Sequence, residues 1–294
     1  MALPRIGQGC CYQIAAGDAG FLTMGGLPRE FSPRFAMSDD GVDWRILKAV
    51  DWQGVSVGQI SGWSGRYIAA GVRGPDEERH AAFWASTDGL TWEELPDSPA
   101  LRVGDVPTGP KASKVQISML DAVGHEITAV AEIWPEPCHE GCDGPIAVIR
   151  WTSSDGGQSW TRHELAAELE NRYPPIRIGD LWVRIAPYWA PLQSSRDRTT
   201  WQTAWDRPEG DYYELSRVRL TSFGGVLVGS LNDEGLIVSS TDGESWIEST
   251  GWPDLEDAAN ITDVAGNATT LVAVGYSYRA GTPIAYAFVS PPLP

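Results

Sequence analysis

The sequence predicts an all-β fold built from repeated units of four strands. A short motif of Ser, any residue, Asp, usually Gly, then Ser or Thr, then Trp occurs five times along the 294 residues. A short apolar strand enters each copy and a short alternating strand leaves it, with Gly, Pro, Asp or Ser at the boundaries. No low-complexity segment or long helix interrupts the pattern. Five copies in one chain indicate a repeat architecture.

The five copies lie at residues 38–44, 86–92, 153–160, 195–201 and 240–246. In each copy the Asp side chain can accept hydrogen bonds from backbone N–H groups, while Gly tolerates positive φ. Ser and Thr hydroxyls can close the rest of the turn, and the Trp is expected to pack between neighbouring sheets. We therefore interpret the motifs as structural corners, formed by Asp40 and Trp44, Asp88 and Trp92, Asp155 and Trp160, Asp197 and Trp201, and Asp242 and Trp246.

The spacing of the motifs predicts the size of one repeat. Successive motif Trp residues are 48, 68, 41 and 45 residues apart, which is the length of a β-propeller blade with one long insertion. Six inner strands with five motifs predict a single six-bladed β-propeller over residues 1–294. The predicted blades are residues 10–48, 55–96, 115–166, 175–205, 215–249 and 260–294. A strand at residues 3–8 is expected to complete the last blade, closing the ring and removing a sheet edge.

The third motif also carries a family resemblance. Its pattern Ser-x-Asp-x-Gly-x-Ser-Trp resembles the Asp-box, or BNR repeat, of sialidases and sortilin-like receptors, and the other four copies resemble it with one residue deleted. Asp-boxes in that family are structural corners on the propeller face away from the active site. The resemblance therefore implies a sialidase-like or sortilin-like propeller, and by itself it does not imply sialidase activity.

Charge narrows the classes of partner. The formal net charge is −17 and the sequence pI is near 4.5, which opposes binding to nucleic acid or to anionic membrane. No apolar run approaches the roughly 20 residues of a membrane span. The first nine residues lack the regions of a signal peptide. We expect an extracellular or cell-envelope protein whose export signal has been removed, with a cytoplasmic protein as the alternative.

Two of the four cysteines lie close together in a Pro- and Gly-rich loop. The spacing of Cys138 and Cys142 around His139 fits a small disulfide, which would indicate an exported protein. Free thiols are a second possibility, and a metal site with His139 and Cys10 or Cys11 is a third. We predict no cofactor and no metal.

If the motifs mark one end of the sheets, the loops at the opposite end are the expected ligand surface. Those loops mix aromatic side chains, arginines and carboxylates, which suits neutral carbohydrate or a protein partner. Insertions concentrate at residues 97–114 and 134–145, and long ordered loops are usually functional, although these insertions could instead merely cover an irregular fourth blade. The predicted contact residues are Arg79, His80, Trp134, His139, Tyr188, Trp189, Trp205 and Arg207.

Catalysis by a sialidase would need more than this. That family uses three arginines, an acid Asp, and a Tyr activated by a Glu. Here Arg5-Ile6 matches only part of the family's first arginine motif, with Gly7 in place of proline, and the adjacent Tyr213 and Glu214 would point to opposite faces of a strand. We assign no catalytic residue. We predict a recognition or scaffold propeller for carbohydrate or protein, with a carbohydrate-active enzyme (sialidase-like hydrolase or polysaccharide lyase) as the alternative.

Overall fold

A computed structural model provides the structure of the chain. It describes residues 5–8, 10–26, 33–48, 52, 54–74, 78–103, 112–135, 145–165, 175–185, 192–205, 219–223, 226–231, 236–249, 260–267, 269–279 and 282–290. Within these residues the strands form six antiparallel sheets of four strands each.

The first two sheets follow each other along the chain. The N-terminal strand is β1 (Arg5–Gln8). Sheet 1 consists of β2 (Cys10–Gly17), β3 (Gly20–Gly26), β4 (Arg34–Ser38) and β5 (Arg45–Ile46). Sheet 2 consists of β6 (Ser56–Trp63), β7 (Arg66–Arg73), β8 (His80–Ser86) and β9 (Glu93–Glu94). A single 3₁₀ turn, Pro99–Leu101, follows β9.

The next three sheets repeat the same order of strands. Sheet 3 consists of β10 (Ala112–Val123), β11 (Glu126–Pro135), β12 (Ala147–Ser153) and β13 (Thr161–Leu165). Sheet 4 consists of β14 (Ile176–Ile178), β15 (Leu181–Ile185), β16 (Leu192–Ser195) and β17 (Gln202–Trp205). Sheet 5 consists of β18 (Arg219–Phe223), β19 (Val226–Leu231), β20 (Leu236–Ser240) and β21 (Ile247–Ser249).

Sheet 6 joins the two ends of the chain. Its strands β22 (Asn260–Gly266), β23 (Leu271–Arg279) and β24 (Thr282–Val289) pair in sequence order. The N-terminal β1 pairs antiparallel with β24, with Gly7 opposite Ala285 and Gln8 opposite Ile284. The fourth strand of this sheet therefore comes from the start of the chain.

The chain forms two compact units, residues 1–16, 20–48 and 173–294, and residues 17–19 and 49–172. In the first unit apolar clusters join sheet 4 to sheet 5, sheet 5 to sheet 6, and sheet 6 to sheet 1. In the second unit one cluster joins sheet 2 to sheet 3 and contains fully buried Ile68 and Trp151. The alternation of apolar residues along the strands thus supplies the contacts between these neighbouring sheets inside each unit.

Two first strands carry a bulge followed by a buried polar residue. The register of β22 shifts between Ile261 and Asp263, and that of β6 shifts between Val57 and Gln59. Asp263 Oδ2 accepts the N–H of Ile14 in sheet 1 at 3.0 Å, and Gln59 Nε2 donates to the carbonyl of Ile117 in sheet 3 at 3.3 Å. A bulge re-aims a side chain, and here the residue after the bulge bonds to the first strand of the next sheet.

The five motifs form short turns between the third and fourth strands, and we call them the Ser–Asp turns. In the second turn Asp88 Oδ1 accepts N–H groups from Leu90 and Thr91 at 2.8 and 2.7 Å, and Ser86 Oγ accepts the N–H of Gly89 at 2.8 Å. Turns at Asp40, Asp197 and Asp242 have equivalent bonds. These are the hydrogen bonds expected from the residue types.

The turns of sheets 1, 3 and 5 also fit against a neighbouring sheet. A Cβ added to Gly243 would lie 2.7 Å from Leu181 Cδ2 of sheet 4, and one added to Gly41 would lie 2.5 Å from Val272 Cγ2 of sheet 6. Trp160 of the turn in sheet 3 packs in the same way, since it stacks on Phe83 of sheet 2 with ring centroids 4.2 Å apart. Within the two units, these turns thus anchor sheet 1 to sheet 6, sheet 5 to sheet 4 and sheet 3 to sheet 2.

Candidate ligand-binding site at the loop end of the sheets

The two ends of each sheet differ in construction. The Ser–Asp turns and the tight hairpins between first and second strands share one end, which we call the turn end. The second strands end and the third strands begin at the opposite end, which we call the loop end. At the turn end, hydrogen bonds join the turns to the hairpins. In sheet 3, for example, the N–H of Gly156 donates to the carbonyl of His125 at 2.9 Å. The loop end is therefore the expected place for groups that contact a ligand.

Hydrogen bonds also set the acidity of the turn carboxylates. Bonds donated by Ser159 lower the pKa of Asp155 to about 2, and the N–H groups of Ser245 and Glu244 lower the pKa of Asp242 to about 2. The pKa values of Asp40, Asp88 and Asp197 are lowered by equivalent backbone donors. The turn carboxylates are thus ionised hydrogen-bond acceptors at neutral pH and are unsuited to act as general acids.

At the loop end of sheets 2 and 3 the segment after β9 is firmly held. Leu101 and Val103 are 2% and 4% exposed and belong to the core between the two sheets. The indole N–H of Trp151 donates to the carbonyl of Ala100 at 2.9 Å, and Arg162 donates to the carbonyl of Val103 at 2.6 Å. Residues 96–103, which include the first part of the predicted insertion, therefore form an ordered segment between sheets 2 and 3, and we call this segment the wedge.

Arg79 and His80 lie against this wedge. The N–H of Val103 donates to the carbonyl of Arg79 at 2.9 Å, and His80 forms an isolated antiparallel bridge with Arg102. His80 Nδ1 lies 3.2 Å from the carbonyl oxygen of Glu78. Both predicted residues are half-buried, while Arg102 is exposed. The wedge thus brings Arg79, His80 and Arg102 together at the loop end of sheet 2.

Trp134 lies near the loop end of β11, half-buried, in the neighbouring sheet. It shares the side of the strand with Glu132, two residues earlier, which is 5% exposed. Arg150 and His163 are cross-strand partners on the same face, one row further from the loop end. Nε of Arg150 is enclosed by protein and has no acceptor among the residues that the structure describes. This face of sheet 3, which also carries the buried Val130 and Val148, points away from the apolar core shared with sheet 2.

The sequence prediction missed Glu132 and Arg150. Their alternation with Ala131, Ile133, Ile149 and Trp151 places them on the face opposite the core, but an apolar run with single charged residues reads as an ordinary half-exposed strand. The burial of Glu132 comes from the sheet's surroundings, and short-range sequence carries no signal for it.

Trp205 has a different environment from the other predicted contacts. It ends β17 in sheet 4, its ring packs against the core between sheets 4 and 5, and its indole N–H donates to Glu248 Oε1 of β21 at 3.0 Å. This side chain links two sheets of the first unit. His139, Tyr188, Trp189 and Arg207, and the cysteine pair Cys138 and Cys142, lie outside the described residues.

Among the described residues, the face of sheet 3 that carries Trp134 has no pair of carboxylates at the spacing of a glycosidase. Besides Glu132, this face carries the carboxylate of Asp121, which lies opposite Thr128 in the register of β10 and β11. Four residues along a strand and one step across the sheet separate the two groups by about 14 Å, beyond the roughly 5–10 Å that glycoside hydrolysis uses. Desolvation by the surrounding protein raises the pKa of Asp121, although the residue keeps solvent contact.

Among the residues with described positions, no three His, Cys, Asp or Glu side chains are grouped so as to hold a metal ion. None of the described segments is a helix long and apolar enough to cross a membrane.

Comparison with known proteins supports the fold. No family model and no curated protein sequence matches the chain. A variant of the Aleuria aurantia lectin in complex with Fucα1-6GlcNAc matches 99% of this chain and 98% of its own with a TM-score of 0.54 and 10% identity. The same lectin with α-methyl-L-fucoside matches 100% of this chain and 97% of its own, with a TM-score of 0.51 and 10% identity.

Solved structures of other protein classes match with lower TM-scores. A subtype N11 neuraminidase-like protein of A/flat-faced bat/Peru matches 99% of this chain and 91% of its own, but at 7% identity and a TM-score of 0.47 it adds nothing to the assignment. With its sheets of four antiparallel strands, the chain has an all-β propeller fold.

Proposed function

We propose that this chain is an exported recognition propeller that binds carbohydrate through the loop end of its sheets. The observation that carries the proposal is the ordered wedge of residues 96–103, whose backbone contacts fix the backbone of Arg79, His80 and Arg102 at the loop end of sheet 2. Pre-ordered groups lose little conformational freedom on binding. Planar cationic groups and a half-buried indole suit sugar hydroxyls and sugar faces.

The proposed contact residues are Arg79 and His80 at the loop end of sheet 2, Trp134 at the loop end of sheet 3 on the face away from sheet 2, and His139, which follows Trp134 in the sequence. Tyr188, Trp189 and Arg207 stay in the proposal as contact residues predicted from the sequence. Trp205 enters it as a support, because its indole N–H is already bonded to Glu248. The separation of Glu132 and Asp121 favours binding over hydrolysis on the described part of the surface.

We also propose that the six sheets are the blades of one ring and that the Ser–Asp turns are Asp-boxes. Support comes from the order of packing, sheets 4, 5, 6 and 1 in one unit and sheets 2 and 3 in the other. The pairing of β1 with β24 supports closure by the N-terminal strand. An exported location predicts a Cys138–Cys142 disulfide, which mass spectrometry of the unreduced protein tests.

The binding proposal is tested on a panel of neutral and acidic glycans. Wild-type protein is expected to bind at least one neutral glycan, and His80→Ala and Trp134→Ala are each expected to weaken that binding about tenfold or more. His125→Ala is the matched control, because His125 is an exposed histidine at the turn end of sheet 3. Equal loss in His80→Ala and His125→Ala, or no glycan bound at all, would contradict the proposal.

A further inference from the structure

An exposed corner at the turn end of sheet 4 concentrates arginines around one indole. The guanidinium of Arg198 lies 4.4 Å from the ring centroid of Trp182, and that of Arg177 lies 5.7 Å from it. Both arginines are exposed and Trp182 is half-buried. Two cations therefore share one aromatic ring at the protein surface.

The backbone of Arg198 is held in an unusual conformation. Its φ is 62°, in the left-handed region, at the turn position where Gly41, Gly89 and Gly243 have φ of 81°, 70° and 74°. Residues other than glycine rarely adopt this backbone conformation. The turn therefore holds an arginine where glycine would fit without strain. Backbone strain of this kind is frequent at functional sites, so the contacts of the Arg198 guanidinium are of interest.

A neighbouring arginine provides an internal comparison. Arg196, two residues earlier and also exposed, forms ion pairs with Asp180 at 2.7 Å and with Glu244 at 3.0 Å. Among the residues that the structure places, Arg198 has no carboxylate or carbonyl partner, and Arg177 uses only Nε, donating to the carbonyl of Gly179 at 2.9 Å. A guanidinium stacked on an indole keeps its N–H edge free for a planar anion.

We propose that Arg177 and Arg198 form a second binding site, which takes the carboxylate of a hexuronic acid residue in an otherwise neutral glycan. Planar guanidinium groups donate two parallel hydrogen bonds to a carboxylate. A ligand with one isolated charge fits best, because Asp180, Asp197 and Glu244 nearby and the net charge of −17 repel polyanions. The site lies at the turn end and does not depend on the loop-end residues.

Titration calorimetry with methyl β-D-glucuronide tests the site, with methyl β-D-glucoside as the neutral match. We expect the glucuronide to bind wild-type protein and the glucoside to leave this site empty. Arg198→Gly and Arg177→Gln are each expected to weaken glucuronide binding about tenfold, the loss of a charge-assisted hydrogen bond. Arg198→Gly places glycine at the position that Gly41, Gly89 and Gly243 occupy in other turns, so we expect this variant to fold normally.

Arg196→Gln is the matched control, because it removes an equally exposed arginine that is already ion-paired. Glucuronide binding to this variant is expected to stay within about twofold of wild type. Three results would overturn the proposal: no glucuronide binding at millimolar concentration, unchanged binding to Arg198→Gly, or tighter binding of a hexaglutamate peptide than of the glucuronide. None of these results bears on neutral glycans at the loop end, so the two proposals fail separately.

Discussion

Replacing Gly243 by alanine tests how the turns anchor one sheet to the next. Gly243 has a φ of 74°, and an added Cβ would meet Leu181 Cδ2 at 2.7 Å and Ile178 Cγ2 and Val183 Cγ2 at 3.1 Å. The left-handed conformation costs an alanine about 1–2 kcal/mol. Overpacking adds about 1–3 kcal/mol, and the lower entropy of the unfolded chain returns about 0.4–1 kcal/mol. We expect a net loss of about 2–4 kcal/mol.

Gly179→Ala is the matched control for this change. Gly179 has a φ of 57° in the hairpin between β14 and β15, and an added Cβ there would meet nothing within 4 Å. Only the backbone term remains, so the expected loss is about 1 kcal/mol. Urea unfolding of the two variants measures the difference. Equal losses would refute the claim that the turn glycine contacts sheet 4.

A double-mutant cycle isolates the contact itself. Leu181→Ala leaves space where the Cβ of Ala at position 243 would collide, so the two changes together should cost less than the sum of their separate costs. The free energies of unfolding of the wild type, both single variants and the double variant give the coupling. Additive costs would place the strain of Gly243→Ala in the backbone alone.

Four further predictions concern the turns and the sheet contacts. Asp155→Asn should remove part of the stability loss seen on acidification, because a carboxyl with pKa about 2 and an ordinary value of 3.8 stabilises the fold above pH 3.8 and loses that contribution as the pH falls through 2; urea unfolding between pH 2 and 5 measures it. Asp88→Ala should cost about 1 kcal/mol, as for a lost helix cap, since the freed N–H groups are exposed to water, and should leave glycan affinity unchanged by calorimetry. Arg198→Gly should be about 1 kcal/mol more stable than Arg198→Ala, because both variants lose the guanidinium but only alanine has a Cβ that is strained at positive φ. Equal melting temperatures of the two variants would count against backbone strain at this position. Trp205→Phe should cost about 0.5–1.5 kcal/mol for the bond to Glu248 while leaving glycan binding intact, which distinguishes a support from a contact residue.

The sequence predicts the local parts of this fold well because they depend on neighbouring residues. The turn at Asp88 is specified by seven consecutive residues, and its hydrogen bonds need no other part of the chain. Fourth strands begin after the motif Trp, at Arg45 and Glu93 in the first two sheets, because the Trp still belongs to the turn. Strand bounds of this kind shift by a residue without changing the architecture.

Contacts between distant residues could not be read from the sequence. The bond from Asp263 to Ile14 joins residues 249 positions apart and depends on a bulge that moves the register by one residue. Likewise Trp151 and Arg162 reach the carbonyls of the wedge at residues 100 and 103, which the sequence marks only as part of an insertion. Trp205 looked like a ligand contact by loop position, and its bond to Glu248 depends on how two sheets pack.

The most direct test of carbohydrate recognition at the loop end is hydrogen–deuterium exchange with and without the neutral glycan that binds best. Slower exchange on binding is predicted for peptides covering Arg79 to Ala82 and Ile133 to Trp134, with no change in peptides covering the Ser–Asp turns at Asp88 and Asp155. Protection confined to the turn peptides, with none around His80 or Trp134, would contradict the account.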